Sequence, residues 1–142
     1  MTPDGSSHDA ATLRIVERFE ALPALAAADA DLLRRGRFLT CDFEIGVGPI
    51  PLLVRMVEGK VASIARGPFL LKPWVFAIRA PAEVWEKFLE PMPAAGWHDL
   101  MALTKVGRAR VEGNLVPFMG NLQVIKDLLA LPRAQQVGRT GR

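Results

Sequence analysis

Apolar and polar positions along this chain change their period several times, and the changes divide it into elements. From Ala11 to Ala30 the apolar residues Leu13, Val16, Phe19 and Leu22 recur at helical spacing. Pro23 opens or kinks a second helical segment, since proline suits only a helix's first turn. Arg34, Arg35 and Gly36 close the helical region: the cations complement the dipole, and the glycine can take a left-handed final turn. The period then drops to two. Over Leu39–Ile45, Leu39, Cys41, Phe43 and Ile45 share one face and Thr40, Asp42 and Glu44 the other, which predicts a strand with one wet face. Gly46 to Pro51 reads as a turn region, Leu52–Val57 as a second strand and Lys60–Arg66 as a third. Only Glu58 and Gly59 separate the last two runs, the length of a tight hairpin. Gly67-Pro68 breaks the chain, and after Pro73 a fourth strand, Trp74–Arg79, places Trp74, Phe76 and Ile78 on one face.

The second half returns to helical spacing. Pro81 and Glu83 open a helix whose stripe Val84, Trp85, Phe88 and Leu89 stops at Pro91-Met92-Pro93. A further helix is predicted over Trp97–Lys105, a last strand over Val106–Glu112, and a long helix over Asn114–Leu131 with Asn114 as its N-cap. On that helix Leu115, Phe118, Met119, Leu122, Ile125 and Leu129 make one face, and Pro132 ends it. Consecutive strands joined by tight turns imply an antiparallel sheet, and the segregated helices imply an α+β fold with helices on one face. The domain is expected over 11–131, between a disordered leader at 1–10 and a flexible basic tail at 132–142.

Charge and cysteine content narrow the class of function. The net charge of +3 owes much to Arg133, Arg139 and Arg142 at the end of the chain, so the body is close to neutral and carries no nucleic-acid footprint. One cysteine, Cys41, on the apolar phase of its strand, excludes an internal disulfide and suits a reducing compartment. The polar N-terminus shows no secretory signal, and no apolar run approaches the roughly 20 residues of a membrane span, so the expectation is a cytoplasmic protein with at most transient membrane contact.

Candidate chemistry is sparse. His98 and Asp99 are adjacent, and neighbours on a helix do not face each other, so they cannot serve as base and orienter within that helix. His8 lies in the leader, and the two histidines and one cysteine are too scattered for a metal site. Gly46-Val47-Gly48 lacks the third glycine of a dinucleotide site. Arg108 and Arg110 either pair with Asp42 or Glu44 across the sheet or meet a lipid carboxylate or phosphate. No cofactor is called for.

Three stretches carry a family resemblance: the hairpin Val57-Glu58-Gly59-Lys60-Val61, the strand Trp74–Arg79 with its following Ala80-Pro81-Ala82-Glu83-Val84-Trp85, and the close Gly107-Arg108-Ala109-Arg110-Val111-Glu112-Gly113-Asn114. In order and spacing the sequence resembles the sterol carrier protein 2 family, over roughly 37–131. The resemblance implies a five-stranded, mainly antiparallel sheet covered on one face by helices, with an apolar tunnel for a fatty acyl chain, sterol or similar lipid. Gly46–Leu52 departs from it in being richer in proline.

On that reading Phe76, Trp85, Phe88, Trp97, Leu100, Met101, Phe118, Met119, Leu122 and Ile125 are the candidate ligand-lining residues. Periodicity alone strongly favours helices simply packed on a sheet, and the resemblance brings the two readings level. The function expected is non-catalytic binding or transfer of a hydrophobic ligand. Two other classes remain: an accessory module docking a partner enzyme of lipid or quinone metabolism, and a small isomerase or lyase using Asp42 or Asp99 as base.

Overall fold

In the computed structural model, residues 9–71 and 73–133 are described. The expected leader, up to His8, and the expected tail, beyond Arg133, lie outside the described residues. Three helices come first, α1 (Ala10–Glu20), α2 (Leu22–Ala27) and α3 (Ala30–Arg35), then the strands β1 (Cys41–Val47), β2 (Ile50–Val57), β3 (Lys60–Arg66) and β4 (Phe76–Ala80). Helices α4 (Ala82–Phe88) and α5 (Leu100–Lys105), strand β5 (Arg110–Gly113) and helices α6 (Leu115–Gly120) and α7 (Leu122–Leu129) complete the order. Asp9, Asp29, Asp99 and Asn114 cap α1, α3, α5 and α6 by accepting from backbone N–H groups two or three residues on.

The sheet has five strands in the order β3-β2-β1-β4-β5. Three of its pairs are antiparallel, but β1 and β4 run parallel. The sheet is mainly antiparallel, as expected, and its one parallel pair arises because the chain leaves the β3 edge and returns beyond β1, through the crossover between β3 and β4. Phe43 and Phe76 are register partners across the parallel pair, their rings stacked 5.1 Å apart. The β2–β3 hairpin turns on the two residues expected, Glu58 at φ 50° and Gly59 at φ 82°, the double left-handed geometry that matches strand twist.

The turn region assigned to Gly46–Pro51 is shorter than expected. Strand β1 runs through Val47 and β2 starts at Ile50, leaving Gly48 and Pro49 as the turn. Pro51 fits inside β2 because the β3 register begins at Leu52–Arg66, one residue beyond it, so its missing N–H costs no ladder bond. The last strand is also shorter than Val106–Glu112. The N–H groups of Arg108 and Ala109 bond Leu103 O at 2.9 and 3.2 Å, and Gly107 at φ 81° closes α5, so residues 106–109 finish a helix. Helix α5 starts at Leu100 rather than Trp97 because Asp99 caps it. The long final helix is two: Asn121, at φ −127°, interrupts it and donates its side-chain amide to Pro117 O at 2.9 Å.

One face of the sheet carries Phe43, Ile45 and Val47, Leu52, Val54 and Met56, and Phe76 and Ile78 into a single core with the helices. Arg66 at the end of β3 reaches Glu20 of α1 on that side. The other face carries Asp42 and Glu44, Arg55, Arg79, Arg110 and Glu112, and is overlaid by the crossover.

Candidate functional site

Strand alternation places Glu44 of β1, Arg79 of β4 and Glu112 of β5 together on the face away from the helices. Glu44 is 3% exposed, and among the described residues no other charged residue is buried to that degree. Its carboxylate pairs with Nη1 of Arg79. Arg79 also donates from Nε to Glu112 at 2.9 Å, and Arg110 reaches the same Glu112 oxygen at 3.1 Å. Burial raises the pKa of Glu112, but the Arg79 hydrogen bond and the Arg79 and Arg110 charges together outweigh it and hold the carboxyl below its ordinary value. The Arg79 guanidinium lies 5.4 Å from the centroid of the Trp74 ring.

Over this charged floor the crossover makes a roof. Pro68, Phe69, Leu70, Leu71 and Trp74 face Glu44, Pro51 and Arg79 across an open groove of about 540 Å³. Two backbone hydrogen bonds tie its ends down, Gly67 N–H to Pro51 O and Val75 N–H to Asp42 O, both at 2.8 Å. Between them Leu70 and Leu71 stand almost wholly in water. Trp74 is a correction to the sequence reading. Strand β4 begins only at Phe76, so Trp74 does not join Phe76 and Ile78 on the core face and instead covers the opposite one.

The residues named from the sequence as ligand-lining lie elsewhere. Phe76, Trp85, Phe88, Leu100, Phe118 and Ile125 are buried in the sheet–helix core. Their rings meet at close range: Phe76–Phe118 at 5.4 Å, Trp85–Phe88 at 5.5 Å and Phe19–Trp85 at 5.2 Å. The Trp85 indole N–H also donates to Gly46 O at 2.9 Å. Trp97, Met101 and Leu122 are half-buried against the same core, whereas Met119 is 52% exposed on α6 beside exposed Leu115 and Val116.

The residues considered for acid–base work are engaged otherwise. Asp99 takes the Lys126 ammonium at 2.9 Å, and that hydrogen bond holds its carboxyl below the ordinary range. A base working near neutrality needs the opposite shift. Asp42 pairs with Arg55, not with Arg108 or Arg110. Arg108 lies 4.1 Å from the Trp97 ring centroid, and Arg110 pairs with Glu112 within its own strand. Cys41 is half-buried, and burial pushes its thiol pKa up, away from a reactive thiolate. No helix among the described residues is long and apolar enough to cross a membrane.

No protein-family profile matches the sequence, and no curated protein matches it. Its fold does match solved structures. Sterol carrier protein 2 superposes with a TM-score of 0.67 at 12% identity, covering 82% of this chain and 94% of that one. A conserved hypothetical protein of Thermus thermophilus, described as possibly a sterol carrier protein, gives 0.57 at 10% identity, over 82% of this chain and 86% of that one. The ubiquinone synthesis protein UbiJ-SCP2 gives 0.53 at 17%, over 92% of this chain and 98% of that one. Across most of its length this chain therefore has the sterol carrier protein 2 fold.

Proposed function

We propose that the protein binds and transfers a hydrophobic ligand, a long-chain lipid, without transforming it, and that the ligand lies in the groove beneath the crossover. One observation carries the reading: Leu70 and Leu71 remain in water at the edge of an open groove otherwise lined by Pro51, Pro68, Phe69 and Trp74. Covering such a side chain contributes about 1.5–3 kcal/mol, and each ligand methylene removed from water about 0.8 kcal/mol more. The volume of about 540 Å³ falls within the ordinary range for small-molecule sites. The fold shared with sterol carrier protein 2 supports the same reading.

The ten residues named from the sequence form a second location for an acyl chain, between sheet and helices. A ligand there would have to part the Phe76–Phe118 and Trp85–Phe88 ring contacts, with Trp97, Met101, Leu122 and Met119 as its rim. The groove needs no such rearrangement.

A docking role is supported by a different observation. Leu115, Val116 and Met119 leave an apolar face of α6 exposed, and one protein of the same fold is described as a ubiquinone synthesis protein. Native mass spectrometry of protein taken gently from its own cells separates the two. Lipid retained at one equivalent supports the carrier; a lipid-free chain in a stable hetero-complex supports the docking module and overturns the carrier.

A further inference from the structure

We infer that the groove selects lipids whose polar end is an uncharged hydrogen-bond acceptor, a carbonyl or ester, over free carboxylates. This rests on the groove being the ligand site and concerns the chemistry of its floor. Arg79 has five N–H donors. Nε is taken by Glu112 and one Nη1 hydrogen by Glu44, while Nη2 makes no hydrogen bond among the described residues. The side chain is 31% exposed and lines the groove, so the floor holds spare donors beside apolar walls.

A spare guanidinium donor would ordinarily invite an anion. Among the described residues of the floor the charge is already balanced, because Arg79 and Arg110 face Glu44 and Glu112, two cations against two carboxylates. A lipid carboxylate would bring a third negative group beside Glu44 and Glu112 with no cation left over among these four. A carbonyl oxygen accepts from Nη2 and adds no charge. Glu44 has no room to swing away, being almost fully buried at the groove's floor and held by Arg79.

The test uses three brominated C18 ligands of one chain length: 9,10-dibromostearic acid, its methyl ester and 9,10-dibromooctadecane. Each is delivered from cyclodextrin at about pH 8, where the acid is ionised. Bromine quenches tryptophan at short range, so the loss of quenching in Trp74→Phe reports occupancy of the groove. The ester should bind about tenfold tighter than the alkane, the contribution of a hydrogen bond to a charged donor, and tighter than the acid. Glu112→Gln keeps an acceptor for Arg79 Nε but removes one negative charge. In that variant the acid should gain roughly fivefold relative to the ester. Equal binding of ester and alkane, or an acid-to-ester affinity ratio untouched by Glu112→Gln, overturns the inference while leaving the groove as the ligand site. Quenching that persists fully in Trp74→Phe, or none with any ligand, overturns the groove reading itself.

Discussion

Gly46 and Arg79 are neighbours across the parallel β1–β4 pair, and the arginine's stem lies over the glycine: a Cβ on Gly46 would sit 3.0 Å from Arg79 Cγ. The missing side chain lets the guanidinium lie flat on the sheet and reach Glu44 and Glu112 together. Gly46→Ala should therefore cost about 1 kcal/mol through crowding, and Gly46→Val about 3 kcal/mol. Both should also weaken binding of the methyl ester. Thermal melts and ligand titration of the same samples check this, and an unchanged melt in Gly46→Val would contradict it.

Arg79 compensates a carboxylate that has almost no water around it. Arg79→Leu should cost about 3–5 kcal/mol in urea unfolding, because it strands Glu44 unpaired in the interior. Glu44→Leu together with Arg79→Leu should recover most of that loss. A double variant as unstable as Arg79→Leu alone would show that the arginine acts chiefly through Trp74 or Glu112.

Asp99 caps α5 through Met101 N–H and pairs with Lys126 of α7. Asp99→Ala should destabilise by roughly 1 kcal/mol, and Asp99→Asn, which keeps a capping oxygen, by less. Neither should alter ligand binding of the folded protein. Because the folded carboxyl has a lowered pKa, its contribution is complete above the ordinary value of 3.8 and disappears as pH falls through the folded one. The Asp99→Asn deficit measured by denaturant unfolding should accordingly shrink in acid and stay constant from mildly acidic pH upward.

In the β2–β3 hairpin Glu58 occupies a left-handed position that suits asparagine or glycine better, while Gly59 touches Gly36, where an added Cβ would come 2.6 Å from the Gly36 carbonyl oxygen. Glu58→Asn should stabilise by about 0.5 kcal/mol, and Gly59→Ala should destabilise by well over about 1 kcal/mol. Chemical denaturation midpoints of the two variants should move in opposite directions.

Local chemistry made much of this fold readable. Alternation identified β1 and the apolar phase of β4 from Phe76 on, Glu58-Gly59 announced the hairpin that joins β2 to β3, and Asn114 marked the start of α6. What escaped was set by distant partners. The parallel β1–β4 pairing depends on where the crossover returns, which no window of sequence contains. Gly120-Asn121 lay inside an apolar periodicity strong enough to suggest one helix, although both residues are poor helix formers.

The groove was hidden for the same reason. Glu44 and Glu112 sit 35 and 33 positions from Arg79 and meet it only through the order β1-β4-β5. One signal was present: Arg79 falls on the phase opposite Phe76 and Ile78, hence on the face of Glu44 once β1 and β4 are neighbours. Trp74 was misplaced because its alternation with Phe76 continued across two residues that are not strand.

A lipid lying under the crossover is tested most directly by amide chemical-shift mapping. Delipidated, isotope-labelled protein titrated with methyl palmitate should shift the amides of Phe69, Leu70, Leu71 and Arg79 and the indole N–H of Trp74 first and most. Residues of α7 and the Trp85 indole, bonded to Gly46 O, should move little. Shifts concentrated at Met101, Leu122, Ile125 and Trp85, with the crossover silent, would place the ligand between sheet and helices and contradict the account.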